Sequence, residues 1–129
     1  MPRSSVALTP TPLSGDVIVA AAGQVQEQHP DLEALEARAV DNGAVLQIVA
    51  DDEVVLSVLR PRMLPTLDEV GRLLPTIDAP AETKWWTDAY TPWQPAGAVG
   101  VAILEAAAEA SGGLVVHQGL APARRASAD

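Results

Sequence analysis

The chain has 129 residues, 17 of them acidic and 8 basic, a formal charge of −9, and no cysteine or phenylalanine. Disulfides, thiolate metal sites and cysteine nucleophiles are thereby excluded, and the acidity argues against nucleic acid or an anionic membrane surface, whose phosphates select Lys and Arg. Apolar residues at 48% and charged residues at 19% belong to a globular chain long enough for one domain with a core.

Met1–Leu13 contains three prolines and reads as an extended, loosely ordered lead-in. Ser14 then has the character of an N-cap, with Asp16 in the first turn, where the helix dipole favours a negative charge. Leu13 and Ile18 occupy the two positions of a hydrophobic staple. A helix from about Gly15 to Gln28 follows, with Val17, Ala21, Val25 and Gln28 on one face, and Pro30 stops it. Next come three branched apolar runs, Glu36–Val40, Ala44–Ala50 and Glu53–Leu59, separated by Asp41-Asn42-Gly43 and Asp51-Asp52. Asn-Gly is a strong hairpin signal, so these runs predict an antiparallel three-stranded meander. The alternative for Asp31–Arg38 is a helix, which its composition permits.

Arg60-Pro61-Arg62 and Pro65 interrupt the sheet, and Thr66–Glu69 has the form of a capping box opening a short helix, Leu67–Leu74. From Thr76 to Gln94 no period is sustained, which predicts a long irregular connection of the kind that often carries function. Pro95 suits the first turn of a buried Ala-rich helix reaching about Ala110. Gly112-Gly113 ends it, and Leu114–Gln118 returns as a strand. The expected fold is therefore α+β. It is a two-layer sandwich in which the meander plus a C-terminal strand is packed by an N-terminal helix and the Ala-rich helix. Residues 1–13 form the lead-in, 14–119 the domain and 120–129 a flexible tail. Between Ser14 and Gly119 there are 16 acids and five bases, an excess of 11 negative charges, so the domain is more acidic than the chain. Val17–Ala22 is too short for a signal-peptide core and Ala96–Ala108 too short for a membrane span, so a cytoplasmic protein is expected.

No catalytic, metal or cofactor constellation is found. His29 and His117 are the only histidines, no G-x-S-x-G occurs, and both imidazoles read as structural or surface groups. A site centred on His117 remains an alternative, at the end of an edge strand facing a cleft. Asp51-Asp52-Glu53 lacks the spaced ligands and central glycine of a calcium loop and reads as a solvated turn. Gly97-Ala98-Val99-Gly100 is neither a dinucleotide fingerprint nor a P-loop and reads as close helix-to-sheet packing. The distinctive feature is that Trp85, Trp86, Tyr90 and Trp93 are the only aromatic residues and fall within nine positions. Trp and Tyr are enriched at binding hot spots because they bury a large area while keeping a polar handle. Trp85, Trp86, Asp88, Tyr90 and Trp93 are accordingly the candidate partner-binding residues, with Asp51, Asp52 and Glu53 as a second acidic patch. The competing reading is that the tryptophans fold inward as a lid over the sheet. Adjacent Trp85 and Trp86 would face opposite ways in an extended segment.

Residues 85–116, WWTDAYTPWQPAGAVGVAILEAAAEASGGLVV, place an aromatic loop before a buried helix, Gly-Gly and a strand. With the size, the acidity and the helix–meander–helix–strand order, this resembles the small acidic α+β immunity proteins that neutralise bacterial polymorphic or contact-dependent toxins. The resemblance implies a non-catalytic protein-binding module that inhibits a basic toxin domain through an acidic face and the aromatic loop. It implies no cofactor, and no residue is transferred by motif. Secretion chaperones, also small, acidic and α+β, are a second likeness. Two further readings stay open. One is a small-ligand-binding domain or enzyme with His117, Tyr90 and Asp88 around a pocket under the tryptophans; the other is a homodimer formed through the apolar helix.

Overall fold

The computed structural model describes residues 3–28, 35–50, 52–64, 82–92 and 96–118, and within them Arg3–Thr9 is a strand, β1. The other strands are β2 (Leu35–Val40), β3 (Val45–Ala50), β4 (Glu53–Leu59), β5 (Arg62–Met63), β6 (Trp85–Thr91) and β7 (Leu114–Gln118). The helices are α1 (Gly15–Gln28) and α2 (Ala96–Ala110). The strands form one antiparallel sheet in the spatial order β2-β3-β4-β6-β1-β7, with β5 continuing beside β6 beyond the end of β4. Both helices among the described residues pack on one face of the sheet, so the fold is α+β with an open sheet.

Two segments correct the sequence reading. β1 is not a loose lead-in: it lies between β6 and β7, with Val6, Ala7 and Leu8 sealed from solvent. The segment containing Trp85–Thr91 is not an irregular connection, because it pairs with β1 along its whole length, from Arg3↔Thr91 to Thr9↔Trp85. β6 and β7 both run antiparallel to β1 and hence parallel to each other. Joining parallel strands requires a crossover, which α2 supplies. The expected meander is present as β2, β3 and β4, and the segment Leu35–Arg38 is strand rather than helix. The expected helix Leu67–Leu74 and the C-terminal tail lie outside the described residues.

Local chemistry explains the boundaries. Ser14 caps α1, its Oγ accepting from the Val17 amide at 3.3 Å, and the staple residues Leu13 and Ile18 are both buried in the main core. The turn joining β2 to β3 places Asp41, Asn42 and Gly43 at positive φ, the conformation Asn and Gly tolerate best. Arg60 holds that turn through hydrogen bonds to the Asn42 and Gly43 carbonyls. At the far end of α2, Gly112 takes φ of 81°, and the Gly113 and Gly112 amides bond back to the Ala108 and Glu109 carbonyls. That is the bonding of a Schellman stop.

The main core lies between the layers and joins Ile18, Ala21 and Val25 of α1 to Ile103, Leu104 and Ala107 of α2 over Ile48, Leu56, Val58, Ala7 and Ala89. α2 approaches the sheet closely at Gly100, where a Cβ would overlap the Val55 carbonyl oxygen and come within 2.9 Å of Thr91 Cγ2. Gly100 thus serves helix-to-sheet packing, while a Cβ on Gly97 would overlap the carbonyl oxygen of Pro92, just beyond the end of β6. A second, smaller cluster lies on the opposite face of the sheet, where Val6, Leu8, Leu64 and Trp86 pack together with Leu114 and Val116 at their margin.

Candidate functional site

β6 carries the aromatic residues, and strand alternation divides them. Trp86, Asp88 and Tyr90 lie on the face away from the helices, beside Leu8, Val6 and Ser4 of β1, while Trp85 lies on the helical side beside Thr9. Trp86 is only 5% exposed and packs in the second cluster. Its Nε1 donates to Asp88 Oδ1 at 3.0 Å, and the Arg62 guanidinium sits 5.0 Å from its ring centroid. Body, N–H and π face of that indole are all engaged within the chain. Trp86 is therefore core, and Asp88 is its hydrogen-bond partner rather than a free carboxylate. The Trp85 ring is half-buried, and Tyr90, 37% exposed, presents the most accessible described ring of the strand. Trp93 and Asp51 lie outside the described residues.

The second acidic patch does not join this strand into one site. Asp52 and Glu53 are exposed at the turn that opens β4. The pairing of Ser57 with Tyr90 leaves Glu53 four positions along the strand, about 13 Å from that pair at the strand rise of roughly 3.3 Å per residue. The turn therefore lies toward the Thr91 end of β6, away from Trp85 and Trp86.

His117 is also separated from Asp88 and Tyr90. It faces the helical layer, opposite Ser5 of β1, so the three groups do not converge on one pocket. The imidazole instead links two elements: Nδ1 lies 2.8 Å from Ser5 Oγ, and Nε2 lies 2.8 Å from Glu105 Oε2 on α2. A carboxylate only accepts, so Nε2 carries a proton, and in the neutral ring Nδ1 accepts from the Ser5 hydroxyl. Ser5 is fully buried in the interior of the sheet, so an acyl group has no approach to its Oγ. The relay fastens edge strand β7 to β1 and to α2. Sequence reasoning missed it because residues 5, 105 and 117 are far apart in the chain and match no motif.

The outer surface of the helical layer is the strongest candidate for contact with another molecule. Asp16, Ala20, Gly23, Gln24 and Glu27 of α1 and Glu105, Glu109 and Ala110 of α2 are exposed. Neither helix contains a Lys or Arg. Two open grooves adjoin here. One of about 480 Å³ runs between the helices, lined by Ala20, Gly23, Glu27, Ala106 and Ala110, and one of about 560 Å³ runs from α2 toward β7, lined by Glu105, Glu109, Gly113 and Val115. They share Gln24 and Ala106, so they form one continuous trough with carboxylates along its rim. A third groove, about 550 Å³, lies between α1 and β2 and includes Val19, Ala22, Leu35 and Ala37. None of the three is lined by Trp85, Trp86, Asp88 or Tyr90.

Among the described residues no cluster of three or more His, Asp or Glu side chains is placed to hold a metal ion, and no helix is long and apolar enough to cross a membrane. Compared with known proteins, the chain matches no family model, no curated protein and no solved structure.

Proposed function

We propose that this chain is a non-catalytic protein-binding module for a basic partner and, within that class, an immunity-type inhibitor of a cognate bacterial toxin acting in the cytoplasm. One observation carries the reading: the trough across the helical layer is bordered by Glu27, Glu105 and Glu109, and neither helix has a cationic side chain. A floor of Ala and Gly leaves room for the aliphatic stems of Lys and Arg, whose charged ends reach carboxylates at the rim. A surface of one sign also speeds encounter with an oppositely charged domain and rejects acidic bystanders. The contact surface thereby moves from the aromatic strand to the helices, and the large anchoring side chains belong to the partner.

The test is co-expression with a cationic toxin domain encoded beside the gene for this chain, followed by titration of the purified pair at low and high salt. Protection from growth arrest and a salt-sensitive association are expected. Glu27→Lys/Glu109→Lys, which leaves the Glu105–His117 contact intact, should weaken binding by about tenfold or more with unchanged thermal stability. Failure to protect removes the inhibitor reading. Binding that ignores both salt and the charge reversal removes the acidic surface from it.

A further inference from the structure

We propose that two copies of this chain pair through the open edge of β2 about a two-fold axis at Ala37, making one sheet continuous across a homodimer. This stands apart from the functional reading above, since it uses a different edge of the molecule. Among the described residues β2 is hydrogen-bonded to β3 on one side only, and Glu36, Ala37, Arg38 and Ala39 are all exposed. On the helical side of this strand, Leu35, Ala37 and Ala39 are left partly uncovered, and the α1–β2 groove opens beside them with Val19, 49% exposed, on its wall. An edge of this kind is a template for a further strand unless charge blocks it.

Here the charges are self-complementary. A two-fold axis normal to the sheet pairs residues of the same face, so only registers centred on one residue are allowed. Centred on Ala37, Glu36 lies opposite Arg38 of the second copy and Arg38 opposite its Glu36, which gives two cross-strand ion pairs. Centred on position 36 or 38, two glutamates or two arginines face each other, and like charges directly opposite are unfavourable. Position 37 is also where two identical side chains meet, with Cα atoms about 4.5–5.5 Å apart, and alanine fits there. On the helical face the same register sets Leu35 against Ala39 of the second copy, widening the apolar floor of the groove.

The contacts within one chain leave Glu36 available. Its cross-strand neighbour on β3 is Val49, and among the described residues it has no ion-pair partner. Arg38 is exposed, and among the described residues its one side-chain hydrogen bond is from Nε to Gln47 Oε1 at 3.3 Å. The other edge, β7, offers no such match. Its residues 114–117 are half-buried, and a two-fold axis at Val116 sets Val115 opposite His117 of the second copy and Leu114 opposite Gln118, with no acid facing a base.

Light scattering coupled to size exclusion across a concentration series tests the proposal. The mass is expected to rise toward twice the 13.4 kDa of one chain. Glu36→Arg and Arg38→Glu, each alone, should raise the dimer dissociation constant about tenfold or more. The double swap Glu36→Arg/Arg38→Glu recreates opposite charges in the same register and should restore the dimer. Mixing the two single variants should give a heterodimer, which a misfolded variant would not. A monomer at every concentration overturns the proposal, as does a dimer indifferent to these reversals. An edge that takes up an added extended peptide while the chain itself stays monomeric overturns it too.

Discussion

Replacing Gly100 by alanine tests whether α2 is seated on the sheet as closely as its glycines imply. The added Cβ overlaps the Val55 carbonyl oxygen, which is backbone and has no rotamer to retreat into, and it meets Thr91 Cγ2 at 2.9 Å. Either α2 lifts from β4 and β6 or β4 bends away; overpacking of this sort costs about 1–3 kcal/mol, and a backbone obstacle belongs at the upper end. Against that stands the gain of about 1 kcal/mol for Ala over Gly inside a helix. The net expectation is a loss of about 2 kcal/mol. Gly23 supplies the control: it is exposed in mid-α1 with nothing within 4 Å of its Cβ position, so Gly23→Ala should stabilise by about 0.5–1 kcal/mol. Urea titration of both variants, with unchanged m-values, should separate them by roughly 3 kcal/mol. In thermal melts the two midpoints should move in opposite directions, by roughly 4 °C per kcal/mol. A Gly100→Ala variant as stable as the parent would refute the close seating of α2.

The remaining predictions concern the strands. Trp86→Ala should cost about 3–5 kcal/mol of folding stability because it empties a buried position among Val6, Leu8 and Leu64. Tyr90→Ala, on the same strand but exposed, should cost under about 1 kcal/mol; chemical denaturation distinguishes the two. His117→Ala leaves the buried Ser5 hydroxyl without its partner, an expected loss of about 1–3 kcal/mol, whereas Ser5→Ala/His117→Ala should recover part of it. A double-mutant cycle showing no coupling would contradict the Ser5–His117 bond. Ser14→Ala should remove about 1 kcal/mol through loss of the α1 cap, measurable in the same titrations.

Much of the architecture was legible where local chemistry dictates local structure. The Ser14 cap with its Leu13–Ile18 staple, the Asn42-Gly43 turn and the Gly112-Gly113 stop each require particular residues at particular backbone angles, and those residues announce themselves. The two central strands were hidden for a common reason. β1 and β6 turn Ser5, Thr9, Thr87 and Thr91 toward the helices, all buried, so their composition imitates a loop. Small hydroxyl-bearing side chains suit that face because α2 comes so near at Gly100, and the flanking Pro10, Pro12 and Pro92 reinforced the impression of irregular chain. The alternation in WWTDAYT, with its aromatic and Thr content, was the available strand signal. The candidate site followed the same pattern. Aromatic clustering marked a real feature, but Trp86 is held by Asp88 and Arg62 inside the molecule. The trough on the helical layer depends on how α1 and α2 lie side by side, which no local motif encodes.

Amide chemical-shift mapping of the labelled chain, alone and with its basic partner, tests the proposed binding surface most directly. Perturbations are expected at Ala20–Gln28 of α1 and at Ala102–Ala110 of α2, with Tyr90 and Ser57 on the opposite face unchanged. Shifts confined to Tyr90 and its neighbours on β4 and β1, with the helices silent, would contradict it.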